Sequence, residues 1–399
     1  MGETHCSHGA VVSFASVVEL LHSGFQSYSF DRQELINTEL EVGGVDEPHV
    51  IPYRRQEMKL RLTKLLVLAG FALASSLMTG CATVERSMTN TALHLIEERI
   101  SPEFQKIDDV NMGCSSTVAL MPLMAGMRGF YGDPNLMESV LLTGAAVCSD
   151  AQATEEELRY MRAQREKRSD EALDARIAQK RWLEISARRQ YASFERMRKH
   201  IEREYSVKYG EKCPGFKREI DELDYLLGTI AGLQAIQNDI ASQQAVGVPT
   251  DIPPKVGAAM ECLSNEKWWG APLALKAVVW SSVPGASEGK DVKGAFDKAM
   301  MLGEVKGVRL AHVMAAISAQ SADDKDRLKA IIRRFASVKD YHPNKEYRFL
   351  DEISASLILG VSDRLWTQNA GTRTPTASLG KFWDDSTASA DVDNFLDTK

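Results

Sequence analysis

The chain has 399 residues, room for two domains of ordinary size or for one long repeat array. With 44% apolar and 26% charged residues it is neither disordered throughout nor collagen-like, and a net charge of −7 gives no basic signature for nucleic acid. Glycine and proline are scarce beside 15 methionines, a balance that leans towards helix.

Residues 1–57 hold nine acidic and three basic residues with no clear periodicity. The strongest local signal begins after them, at Met58. Lys59, Arg61 and Lys64 form a basic start, Leu65 to Met78 is an apolar run, and Thr79-Gly80-Cys81 closes it. This is the order of a secretory signal: basic region, apolar core, small residues at the cleavage point. It resembles a bacterial lipoprotein signal over 58–80, with Cys81 as the lipidated residue and Met78 where the pattern prefers leucine. The resemblance implies diacylglycerol in thioether linkage on Cys81 and cleavage after Gly80. Ala82 and Thr83, with no aspartate after the cysteine, imply an outer-membrane lipoprotein facing the periplasm. A transmembrane helix over 65–84 is the alternative, since that stretch carries no charge. Signals stand at chain starts, so 1–57 reads as a start-site overcall or a disordered stretch. A real acidic domain ahead of an internal signal is the other reading.

Four more cysteines follow, Cys114, Cys148, Cys213 and Cys262. In an oxidising periplasm they suggest two disulfides with three connectivities. Cys114 and Cys148 flank one predicted helix pair and Cys213 and Cys262 another, which favours these two local pairs. Buried free thiols are the alternative. No CxxC occurs and the spacings match no zinc ribbon, so no metal is expected.

The rest reads as helix after helix. Residues 84–100 are amphipathic and stop at Ser101-Pro102. Residues 115–131 are apolar and Met-rich, Gly132-Asp133-Pro134 is a turn with Asp133 as N-cap, and the next helix runs to about Cys148. From Ala151 to Tyr209 there is neither glycine nor proline, and Ser169-Asp170 offers one break. The stripe Trp182, Ile185, Phe194, Met197, Ile201, Tyr205 predicts one packed face. The basic runs Arg188-Arg189 and Arg196–Lys199 read as a solvated face rather than an anion site. After Cys213-Pro214-Gly215, helices are predicted at about 217–243, 254–263, 266–281, 291–303, 308–320, from Asp323, and over 344–366. Residues 367–399 read as a loose tail.

No strand alternation persists, so the fold class is all-α. Successive helix pairs of 30–45 residues predict a tetratricopeptide-like α-solenoid of antiparallel hairpins over 81–366, with a compact bundle as the alternative.

Chemistry is sparse. No HExxH, G-x-S-x-G, Walker A or G-x-G-x-x-G occurs, so no enzyme activity and no cofactor are expected. His312, in an apolar helix, reads as a core histidine. Glu156-Glu157 and Asp323-Asp324 suit helix N-termini. Trp268, Trp269 and Trp280 are the candidate ligand or partner residues, with Trp269 and Trp280 sharing a face if one helix carries both. Met124 and Tyr131 belong to the Met-rich stretch that suits adaptable apolar contacts. Core packing is the competing reading for all five.

Several blocks in order resemble the T-component (TatT) of TRAP transporters, a family of tetratricopeptide-like periplasmic lipoproteins. They are Ala119–Leu123 through Asp133–Met137 with the small-residue helix Leu141–Ala146, then Arg188–Ile201, then Trp268-Trp269-Gly270-Ala271-Pro272, then Asp326–Phe335 with Phe349–Trp366. The charged stretch 154–180 is an insertion relative to the family. The resemblance implies a non-enzymatic accessory protein, held to the membrane by its lipid. It docks a periplasmic solute-binding protein (the P-component), holds a small apolar ligand and forms a homo-oligomer. A scaffold lipoprotein of an outer-membrane assembly is the alternative function.

Overall fold

The computed structural model describes residues 84–385, all within the compact unit Phe71–Lys399. The expectations for 1–57, the signal 58–80 and Cys81 lie outside the described residues, as does the tail beyond 385.

Regular structure among the described residues is entirely helical: α1 (84–104, with a π-helical turn at Ile96–Ile100), α2 (Val110–Gly126), α3 (Asn135–Arg165), α4 (Ser169–Tyr205), α5 (Glu219–Ala241), α6 (Ile252–Met260), α7 (Ala271–Ser282), α8 (Val292–Lys306), α9 (Leu310–Ser321), α10 (Lys325–Ala336) and α11 (Arg348–Ala370). Local chemistry sets many of the ends. Asp109, Asp291 and Asp324 cap α2, α8 and α10 by accepting the backbone N–H of Met112, Gly294 and Arg327. Gly307 and Gly371 close α8 and α11 in the left-handed conformation. Asp133 accepts the N–H of Asn135 at 3.0 Å, so the expected cap sits just ahead of α3, whose N-cap position is Pro134.

The long stretch without glycine or proline carries α3 well past Cys148, to Arg165. The chain then breaks at 166–168, with Lys167 at φ 61°, just ahead of the expected break at Ser169-Asp170, which instead form the first turn of α4. The α4 stripe is only half right. Phe194, Met197 and Ile201 are buried, but Ile185 is exposed and Trp182 half-buried. There the seam with α3 is made by small residues, with Ser149, Ala153 and Ala163 on α3 and Ala172, Ala175, Ser186 and Ala187 on α4, all buried. Small side chains let two backbones approach closely, so a large apolar residue has no place at that contact.

Each helix from α2 to α10 packs on the next, as in a solenoid of helix hairpins. α11 then turns back and packs on α9, α3 and α2. The Phe349 N–H donates to the Gln105 carbonyl at 2.8 Å, fastening the start of α11 to the end of α1.

Both local cysteine pairs are bonded. Cys114–Cys148 ties α2 to α3, and Cys213–Cys262 ties the loop after α4 to the end of α6. The expected loose tail is corrected as far as residue 385. Helix continues to Ala370, Phe382 is fully buried, and the Trp366 indole N–H donates to the Lys381 carbonyl at 3.1 Å. Lys329 and Arg333 of α10 cover the Phe382 ring, so an aromatic anchor holds a segment whose Thr/Ser/Asp composition reads as loose.

Candidate functional site

The return of α11 leaves a recess of about 410 Å³ where α2, α3, α4, α5, α9 and α11 meet. Its walls are mixed. Leu183, Val313, Ile317 and Leu357 give apolar surface, and Gln179, Gln234, Gln237 and Gln320 give amides. Gly360 on α11 leaves open space, since a Cβ there would meet only the Thr154 methyl at 3.7 Å.

Asp150 of α3 faces this space within a three-residue network. Gln190 Nε2 donates to Asp150 Oδ2 at 2.9 Å, and Asn238 Nδ2 reaches both Asp150 Oδ1 at 3.0 Å and Gln190 Oε1 at 2.9 Å. Burial pushes the Asp150 carboxyl up to about 6, against the donors Ser186, Asn238 and Gln190 and the nearby charge of Arg189. The Arg189 guanidinium spends its hydrogen bond on the Ala145 carbonyl at 2.6 Å. At the rim Arg364 binds Glu157 through Nε at 3.0 Å and Gln320 through Nη1 at 3.1 Å. Arg373 pairs with Glu155 at 2.9 Å. The arrangement can hold a small solute by shape, amide hydrogen bonds and one carboxylate.

A second polar cluster joins α1, α4 and α5. Arg218 bridges Asp221 and Glu97, while His200 Nε2 lies 2.9 Å from Asp221 Oδ1 and the Tyr205 hydroxyl donates to Oδ2. Burial pushes Asp221 up, but the His200, Arg218 and Tyr205 bonds outweigh it and hold the carboxyl at about 2. Burial likewise pulls His200 down, and Asp221 with Asp224 reverses that to a net rise. Asp221 thereby ties the three elements together as a cross-brace does, while Nδ1 of His200 is buried without a hydrogen-bond partner.

The sequence-predicted residues lie elsewhere. Trp268 and Trp269 are buried core. Their rings meet edge to face at 5.3 Å, Tyr347 packs on Trp269 at 4.8 Å, and the Trp268 indole donates to Glu222 at 2.8 Å. The reason is their place before α7: Trp269 takes φ 53° and Gly270 φ 77°, a turn that folds both rings inward. Trp269 therefore shares no helix with Trp280, which is half-buried under the Lys290 ammonium. Met124 is buried in a small cluster with Leu93, Met137 and Leu141. Tyr131 is exposed and ends the 3₁₀ turn after α2. His312 is core, with Nε2 at 2.9 Å from Glu304 and its ring against Phe335. The basic runs are braced rather than simply solvated, for Arg196 binds the buried carboxylate of Glu138 at 2.8 Å.

Sequence reasoning missed Asp150, Gln190 and Asn238. The available signal was the run of amides Gln234, Gln237 and Asn238 in the second half of α5, where apolar residues otherwise prevail up to Asp239. No family model, no curated protein and no solved structure matches this chain.

Proposed function

We propose that this chain is a lipid-anchored accessory protein of a TRAP-type solute uptake system. Cys81 tethers it to the outer membrane on the periplasmic side, and it docks the solute-binding protein of that system. The recess between α3, α5 and α11 holds the solute. The observation that carries this reading is the recess itself: a solenoid-like protein that only displays a surface has no need of an amide-lined recess bordered by six helices. The two disulfides add support, since such bonds persist in an oxidising compartment. The mixed lining suits a solute with polar and apolar parts better than a purely apolar one.

A scaffold in an envelope assembly is the second reading. The exposed apolar side of α2 favours it, with Val118, Leu120 and Leu123 open to solvent.

The test is affinity purification of the tagged protein from detergent-solubilised envelopes, with mass spectrometry of what accompanies it. Enrichment of a periplasmic solute-binding protein supports uptake. A large envelope assembly without one selects the scaffold. The mass of the purified chain checks for diacylglycerol on Cys81.

A further inference from the structure

We propose that the recess takes an amine-bearing solute, a protonated amine on a compact apolar body, with its ammonium seated on Asp150. The proposal rests on reading the recess as a solute site and names the class of solute.

Charge around the recess is the first argument. Four acids face it, Asp150, Glu155, Glu157 and Asp363, against two arginines, Arg364 and Arg373. Both arginines are engaged by rim glutamates, Arg364 by Glu157 and Arg373 by Glu155. Asp363 is turned to the backbone N–H of Thr374 at 3.0 Å. Asp150 is left with no arginine or lysine in ion-pair contact.

The second argument is hydrogen-bond capacity. A carboxylate has about four acceptor positions. Gln190 and Asn238 each donate one N–H to Asp150, one per oxygen, and the Ser186 hydroxyl is a third donor. The position left over fits one N–H of an ammonium, whose other donors would turn to the Gln234 or Gln237 side-chain carbonyls across the recess. A charge-assisted pair in a half-buried site is stronger than the neutral bonds it replaces. The raised proton affinity of Asp150 has the same origin, because burial outweighs its hydrogen bonds and the charge of Arg189, which is near but not in ion-pair contact. An anionic solute meets like charge at the same place, since Arg189 makes no ion-pair contact there and bonds the Ala145 carbonyl instead.

Shape is the third. Val313, Ile317 and Leu357 provide an apolar wall, and about 410 Å³ suits a small molecule rather than a polymer.

The experiment uses the full chain in detergent, at pH 8 and low salt, with two probes of the same shape. These are cyclohexylammonium and cyclohexanecarboxylate, titrated by calorimetry. Cyclohexylammonium is expected to bind saturably and at least tenfold more tightly than the carboxylate. Asp150→Asn is expected to lose at least tenfold of that affinity, and Gly360→Leu, which fills the recess, to abolish it. Equal binding of the two probes overturns the proposal, as does undiminished binding by Asp150→Asn or no binding of cyclohexylammonium at all. The probe comparison on the unmodified chain stands even if a variant fails to fold. Carboxylate binding that Gly360→Leu abolishes keeps the recess as a solute site while removing the amine class.

Discussion

Arg364 on α11 grips Glu157 on α3 across 207 residues of sequence, with Nε at 3.0 Å and Nη2 at 2.5 Å from the same carboxylate oxygen. That pair joins the returning helix to the first long hairpin and forms the rim of the recess. Arg364→Ala removes one partner of a largely buried pair and leaves Glu157 and Gln320 unbonded. A loss of about 1–3 kcal/mol is expected in urea denaturation. Amide exchange should rise along α11 and much less along α5, and an even rise in both would contradict the local role.

The disulfides make a redox prediction. Alkylation of the native, unreduced protein should leave Cys114, Cys148, Cys213 and Cys262 unlabelled. Reduction opens loops of 34 and 49 residues, and each bond contributes about 3–4 kcal/mol in the chain-entropy account. The midpoint of thermal unfolding should fall on adding dithiothreitol. Free thiols in the native protein would refute the pairing.

Asp224 sets a pH dependence. Its side chain is fully buried, neither oxygen has a hydrogen-bond partner, and the nearby Ser139 hydroxyl is engaged with Ser193. Burial pushes its carboxyl up from 3.8 to about 7, with Asp221 and Glu97 adding to the rise and His200 opposing it. The folded state therefore holds this proton more tightly than the unfolded state. The stabilisation is complete below about pH 4 and is lost as pH rises through about 7. Asp224→Asn should match the parent near pH 4 and exceed it at pH 8.5, by about 4 kcal/mol. Equal stability of the two proteins at pH 8.5 would show that Asp224 is not held as described.

Asp221 and Glu304 act with the opposite sign. Burial raises both, but hydrogen bonds from His200, Arg218 and Tyr205 to the first, and from His312 and Arg334 to the second, hold each at about 2. Their stabilisation is present above about pH 4 and is lost as pH falls towards 2. Acid unfolding of Glu304→Gln should therefore shift less between pH 4 and 2 than that of the parent, which chemical denaturation at stepped pH can read.

Two glycines give a contrast in packing. A Cβ at Gly113 of α2 would lie 2.3 Å from the Phe349 ring, itself held edge to face on Phe104 at 5.1 Å. Gly113→Val should cost about 1–3 kcal/mol through overpacking. Gly360 lies inside α11 beside open space, so Gly360→Ala should gain about 0.5–1 kcal/mol of helix stability. Thermal unfolding of the pair checks both signs.

The sequence by itself determined the helical course of this protein. Helix formation, the acidic start of α10 at Asp324 and the break ahead of α4 depend on residues a few places apart, so a local reading finds them. The cysteine pairs were legible for a related reason: each joins elements that are neighbours along the chain. Only the tertiary structure decided what the helices enclose. Trp268 and Trp269 look like a binding cluster in sequence, yet a left-handed turn at Trp269 and Gly270 sends both rings into the core. Asp150 is inconspicuous in sequence, two places after a cysteine, yet Gln190 of α4 and Asn238 of α5 converge on it. Phe382 lies in a polar stretch, yet it anchors the segment after α11. Each of these depends on contacts between distant segments, above all the return of α11 onto α2 and α3. Periodicity shows that a helix has an apolar face. It carries no information on which other face will meet it, and the recess is made by that meeting.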